Sequence, residues 1–283
     1  MVGWSKGHPH TTFTPYSFMQ IKDLFALRGK LSTQYELLVL GIGAICAVAV
    51  WNLVSTLGLI PRTILPPPMA VVNAIPVLIN ENLIGHAITS IQLNFWGYVE
   101  AVAISIPLGF ILGLFPLFDA LSSRILATLR FAPLPAAMGI FIAAFGIESH
   151  MKVQFLAVGI IVYLLPTVIQ RVKETPEVYV QTIRTLGASK WQQIRKVFLP
   201  DVLGRVFDDI RVLVAISWTY ITIAEVINST EGGLGAMAYL AQRQGRVDKI
   251  WAILVAILII GFIQDFVFKF LDKMMFPYKY SER

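Results

Sequence analysis

Six long apolar runs, near residues 36–60, 86–115, 122–147, 151–170, 203–228 and 250–271, alternate with short polar or basic stretches. An α-helix needs roughly 20 apolar residues to cross a bilayer, so the pattern predicts an all-α, polytopic membrane protein with about six transmembrane helices. The expected organisation is a polar tail over 1–35, a membrane domain over 36–275 and a short tail over 276–283. Within the first tail, Phe18, Ile21, Leu24 and Phe25 alternate with Gln20, Lys22 and Asp23, a pattern suited to a short interfacial helix. None of the runs reads as a cleavable signal, because about 35 polar and basic residues precede the first.

Proline and glycine punctuate these runs. Leu65-Pro66-Pro67-Pro68 predicts a rigid extended exit from the first run, with a surface helix over 71–80. Pro133 and Pro135 should kink or break the third run, leaving freed carbonyls that need protein neighbours or a cavity. Gly109 and Gly113 form a Gly-x-x-x-Gly pair that close helix packing explains. Residues 232–235, Gly-Gly-Leu-Gly, read as a turn.

One interval breaks the apolar pattern in a different way. Residues 175–200 are basic, amphipathic and divided by a glycine. Thr175-Pro176-Glu177 is a helix start. Ile183 and Leu186 share an apolar face, and Gly187 ends the helix by taking a left-handed conformation. Ser189 with Gln192 matches a capping box that opens a second short helix, with Trp191, Ile194, Val197 and Phe198 as its apolar stripe. Lys190, Arg195 and Lys196 stay in water. The product is a helix–turn–helix knob with a greasy face, which either lies on the membrane surface or docks in a groove of a soluble partner.

Composition adds weight to the membrane assignment: 56% of the 283 residues are hydrophobic, 14% are charged and the mean hydropathy is +0.70. The net charge of +6 is unevenly distributed. If the first tail is inside, Arg171, Lys173, Arg184, Lys190, Arg195, Lys196, Arg205 and most other basic residues fall on the same side. Only Arg62, Lys152, Arg243, Arg246 and Lys249 lie outside. By the positive-inside rule both termini and the knob are cytoplasmic, with the basic cluster over 243–249 as the exception. The charge therefore reflects topology, and no clustered basic and aromatic pattern points to nucleic acid. The single cysteine, Cys46, excludes an intrachain disulfide or cysteine metal cluster and reads as packing. His8 and His10 read as part of the tail, and no metal site is expected.

Charges within the runs carry further information because an acid at mid-membrane costs about 2.5–3.5 kcal/mol. Glu100 should face the bundle or a wet cavity, and Gln92 and Trp96 precede it at helical spacing. Glu225 shares a face with Ser217, near Thr219, Tyr220 and Thr222. Gln92, Trp96, Glu100, Pro133, Ser217, Tyr220 and Glu225 are the candidates for a translocation pathway or gate. A buried interhelical hydrogen-bond network predicts the same polar pattern. Asp208, Asp209 and Arg211 read as a solvated or paired cluster, and Asp265 as a paired residue.

Gly187-Ala188-Ser189 and Leu199-Pro200 resemble the signature of ATP-binding-cassette importer permeases, with Gln181, Thr182 and Ile183 standing where that family has Glu-Ala-Ala. Further residues resemble the nitrate, sulfonate, taurine and bicarbonate group in the same order. They are the proline-led stretch after the first run, Pro107-Leu108-Gly109 with Gly113, Leu129-Arg130-Phe131-Ala132-Pro133, Phe145-Gly146, Glu225 and residues 232–235. The resemblance implies a type I permease fold whose knob is a cytoplasmic coupling segment. Gln181, Thr182, Ile183, Leu186, Gly187, Ala188, Ser189, Trp191, Leu199 and Pro200 would then form the ATPase-coupling surface. It also implies cytoplasmic ATP-binding subunits that hold ATP and Mg, a periplasmic or lipid-anchored solute-binding protein, a second permease copy in a homodimer, surrounding lipid, and a bacterial inner-membrane location. The substrate would be a small anion such as nitrate, bicarbonate or a sulfonate. The sequence has no phosphate-binding loop, His-Glu-x-x-His or nucleophile elbow, so the chain is not expected to be an enzyme or to bind a cofactor. An ATP-independent secondary transporter or channel is the rival class; its expected inverted repeats are not evident.

Overall fold

The computed structural model describes residues 32–280, so the interfacial helix expected near residue 20 lies outside the described residues. The chain divides into two units, one ending at Leu59 and the other starting at Ile60. Within the first, helix α1 (Thr33–Thr56) has a mean hydropathy of 2.4, long and apolar enough to cross a bilayer. Cys46 is exposed on it, so the expectation of a packed cysteine is not met. An apolar thiol on a helix of this hydropathy is compatible with lipid as well as with a core.

The second unit begins its helices at α2 (Pro68–Asn80), where Pro68 presets the first turn, and Val71, Ala74 and Leu78 form its buried stripe. Then follow α3 (Leu83–Leu114), α4 (Pro116–Leu129), a 3₁₀ turn (Leu134–Ala137), α5 (Met138–Phe145) and α6 (Ser149–Lys173). The knob comprises α7 (Glu177–Thr185) and α8 (Lys190–Gln193), after which α9 (Leu199–Ile227), α10 (Leu234–Arg243) and α11 (Val247–Met275) complete the described helices.

Glycine contacts fix how α3 meets α6. A Cβ at Gly97 would strike Leu156, one at Gly109 would strike Val168, and one at Gly113 would strike Val172. The residue offset is constant, so the two helices run parallel and in register, with backbones close because these glycines have no side chain. The Gly-x-x-x-Gly expectation is met. Parallel crossings also carry a topological consequence: the segment between them must return across the membrane.

That return is the third predicted run, and it is broken. α4 and the Leu134–Phe145 stretch form a pair bent by 91°. Pro133 is extended at φ −72° and ψ 92°, and Pro135 sits in the 3₁₀ turn, so two missing N–H groups and restricted backbone angles stop a continuous helix. Beyond the break, α5 is anchored by Met138 and Phe141 against Met151, Phe155 and Ala224. Five described helices are singly long enough to span, and the bent pair supplies the sixth crossing.

α9 lies antiparallel to α6, as its contacts show at both ends. Lys152 Nζ donates to the Asn228 carbonyl at 3.0 Å at one end, and Arg171 meets Asp209 at the other. The knob therefore joins α6 to α9 at the end opposite α10. Its second arm is not the separate helix expected: from Lys190 the helix continues for 38 residues to Ile227. A π turn at Ile194–Phe198, with the Leu199 amide donating to the Ile194 carbonyl, accommodates Pro200 in the first turn of α9.

Candidate functional site: a cleft beside the broken crossing and a basic knob

Of the cavities along the break, two share Arg130. The larger, about 500 Å³, is bounded by Arg130 to Pro135, Tyr163 of α6, and Ala215, Ile216, Thr219, Tyr220 and Ile223 of α9. The smaller, about 160 Å³, continues along α4 and α6 past Pro166 and Gln170 to Lys173, at the knob end. Arg130 lines both. Of the pathway candidates, Pro133 and Tyr220 come together here, and Thr219 joins them. The carbonyls released by the proline break have a cavity beside them, the condition for irregular backbone at membrane depth.

The remaining candidates are placed elsewhere. Gln92 and Trp96 are exposed on α3, while half-buried Glu100 accepts a 2.6 Å hydrogen bond from the Gln154 amide. Ser217 is buried and donates to the Val214 carbonyl of its own helix. Glu225 is fully buried in a closed network: Ser90 Oγ donates to its Oε1 at 2.5 Å and the Gly235 amide donates to its Oε2 at 2.7 Å. The Leu234 amide donates to Ser90 Oγ at 2.9 Å, and the Gly233 amide donates to His86 Nδ1 at 3.0 Å. A carboxyl group on one helix thus occupies the N-terminus of another and satisfies an orphan N–H group there.

This corrects the simple turn expected over 232–235. Gly232 and Gly233 adopt φ of +87° and +108°, and a Cβ at Gly233 or Gly235 would collide with the Glu225 carboxylate or the Thr222 backbone. The sequence reading missed Ser90 and His86, whose only signal is that two polar residues occur four apart in an apolar run.

The outer basic exception also has a structural cause. Lys249, 4% exposed, pairs with Glu81 at 2.5 Å, and Arg246 pairs with Asp248 at 2.6 Å. Lys152, fully buried, pairs with Glu231 at 2.9 Å. Burial works against the Glu231 carboxyl, yet the Lys152 ammonium and the Ser149 amide and hydroxyl hold it below its usual range. Three of the five basic residues at this end, Lys152, Arg246 and Lys249, are thus locally neutralised, while Arg243 lies over the Tyr239 ring.

At the knob end the cations stay open. Arg184, Lys190, Arg195 and Lys196 form no ion pair among the described residues, and Val178, Tyr179, Leu186 and Trp191 are each more than half exposed. The local folding follows the expected chemistry. Gly187 has φ +78°, the Gln192 amide donates to Ser189 Oγ and the Ser189 amide donates to Gln192 Oε1. One detail differs: Pro176 rather than Thr175 occupies the N-cap, and Thr175 turns inward to donate to Asp201 at 2.9 Å; Trp191 is exposed on the knob's apolar face.

The knob's two roots are stapled. Arg171 grips Asp209 with Nε and Nη2, both at 2.8 Å, and Glu174 with Nη1 at 2.8 Å. Arg205 binds Asp201 and donates to the Arg171 carbonyl at 3.0 Å. The Gln170 amide and the Arg171 guanidinium hold the Glu174 carboxyl low. The expected pairing of the acidic cluster is met: Asp208 binds Lys279 at 3.0 Å, and Arg211 and Lys269 both bind Asp265.

Parallel crossings around a broken one, a cleft open along that break and an exposed knob at one end define a membrane permease subunit. The chain belongs to the family of binding-protein-dependent transport system inner membrane components, whose pattern it matches over residues 105–277. It is 27% identical to the taurine transport system permease of Escherichia coli, covering 84% of this chain and 89% of that protein. It is 23% identical to the bicarbonate transport system permease of Synechocystis, covering 83% and 87%. The fold matches a subunit of an inward-facing methionine ABC transporter with a TM-score of 0.58 and 18% identity, covering 68% of this chain and 95% of that one.

Proposed function

We propose that the chain is the membrane-spanning subunit of an ATP-driven importer, passing a small anion through the cleft beside the broken crossing. Nitrate, bicarbonate and sulfonates are the candidate solutes, and the taurine and bicarbonate systems to which its relatives belong support that class. The observation that carries the reading is the knob, where exposed apolar side chains are ringed by unpaired cations at the end of the molecule with most positive charge. An apolar helical surface of this kind suits a groove on a soluble partner. Its basic surroundings favour the cytoplasmic side, where ATP is available.

In this reading cytoplasmic ATPase subunits hold ATP and Mg and supply the chemistry, while this chain is not itself an enzyme. A solute-binding protein delivers the anion on the opposite face, and a second copy of the chain completes the pathway. Gln181, Thr182, Ile183, Leu186, Gly187, Ala188, Ser189 and Trp191 form the docking surface, with Leu199 and Pro200 at its junction with α9. Closure of the ATPase pair displaces the knob. The ion pairs at its roots pass that displacement to α6 and α9, which flank the cleft.

Gly187→Trp tests this coupling. Its left-handed backbone and a bulky side chain should disrupt the knob surface, abolishing ATPase docking and ATP-driven uptake in proteoliposomes while the variant still inserts and purifies. Unchanged ATP-stimulated uptake by that variant would refute the role given to the knob.

A further inference from the structure

Arg130 stands out among the basic residues for where it lies and for what it lacks. Its exposed guanidinium makes no hydrogen bond or ion pair with any described residue, and it is the one charged side chain among those lining the 500 Å³ cavity. Both cavities touch it, so a solute moving from the larger towards the knob end passes beside it. Its depth follows from α6: the larger cavity places it with Tyr163, the smaller with Pro166. Tyr163 lies ten residues before the end of α6 at Lys173, or roughly 15 Å along the helix axis. Arg130 thus lies within about half the thickness of a hydrocarbon core from that end. An arginine at such depth is expensive against lipid, and one with no internal partner needs water or an anion. The other cation in the smaller cavity, Lys173, is already paired with Asp119 at 2.5 Å.

We infer that Arg130 is the charge-selecting residue of the cleft: its guanidinium makes the cavity electropositive and receives an anionic oxygen group of the passing solute. The inference rests on the cleft being the solute pathway, as proposed above. A guanidinium presents a planar fork of donors that matches carboxylate, nitrate or sulfonate oxygens, and a unit charge on the wall of a cleft concentrates ions of opposite sign. Thr219 and the tyrosines at 163 and 220 supply neutral polar groups on the facing walls. They orient a solute without competing for its charge.

The test measures the charge of the cavity directly and needs no identified substrate. In the full-length chain in its native membrane, with Cys46 replaced by serine, Thr219→Cys places a single thiol on the cleft wall. Its reaction rates with an anionic sulfonatoethyl and a cationic trimethylammonioethyl methanethiosulfonate are then compared. The anionic reagent should be favoured, and adding Arg130→Gln should lower the anionic-to-cationic rate ratio about tenfold or more, while Arg130→Lys keeps it within a few-fold. A ratio unchanged by Arg130→Gln would overturn the inference and leave Arg130 as a lipid-headgroup contact. A thiol that reacts with neither reagent would overturn it as well, because the cavity would be dry. ATPase docking and ATP-driven uptake are scored separately through Gly187→Trp, so failure of the importer reading is distinguishable from failure of this one.

Discussion

Glu225 shows at the scale of one residue how an acidic side chain can be retained deep in an apolar helix. Its carboxylate accepts from Ser90 Oγ and from the Gly235 amide, and glycine at 233 and 235 is what lets the α10 backbone come so close. Ser90→Ala removes a donor to Glu225 and an acceptor for the Leu234 amide, leaving buried groups unpaired. It should destabilise the protein by about 1–3 kcal/mol, read as a lowered melting temperature in detergent. The Glu225 side chain was legible in the sequence as a costly acid requiring company. The identity of that company was not, because Ser90 lies 135 residues away and becomes a partner only when α3 and α9 run antiparallel. Glu231 adds a pH dependence outside the spans. Its carboxyl is held below the ordinary value near 4.5, so its stabilising contact with Lys152 is present above that pH and is lost as the pH falls through the lowered value. Thermal melts should accordingly be less pH-sensitive below pH 4.5 in Glu231→Gln than in the native chain.

Among the elements, the knob was the most legible because its signals are local. Gly187 at φ +78° and the reciprocal Ser189–Gln192 bonds depend only on neighbours within a few residues. Its attachment was less legible: no local rule says that α8 continues into α9, or that Arg171 and Asp209 meet across 38 residues. Those ion pairs are partly exposed, so each contributes little to stability, and Asp209→Asn should lower it by about 1 kcal/mol or less. Its larger effect should be mechanical, with ATP hydrolysis continuing while solute uptake per ATP falls several-fold in proteoliposomes. Equal losses of hydrolysis and uptake would instead point to impaired docking. The broken crossing has the same division: Pro133 and Pro135 announced the break, but the 91° bend depends on Met138 and Phe141 packing against Met151 and Phe155.

At the scale of the whole molecule, topology and charge reinforce each other. Constant register between α3 and α6 makes them parallel, which makes the bent pair a crossing and puts the knob opposite α10. Lys249, Lys152 and Arg246 at the α10 end are paired with Glu81, Glu231 and Asp248, whereas Arg184, Lys190, Arg195 and Lys196 of the knob have no ion pair among the described residues. The knob end thus carries more unpaired cations than the α10 end among the described residues. Docking of a nucleotide-hydrolysing partner at the knob is checked by purifying the tagged chain from its native membrane in mild detergent and quantifying what remains bound. An ATP-binding-cassette subunit should remain bound in equal stoichiometry and be lost in Gly187→Trp. A chain that purifies alone and transports solute in proteoliposomes without ATP would contradict it.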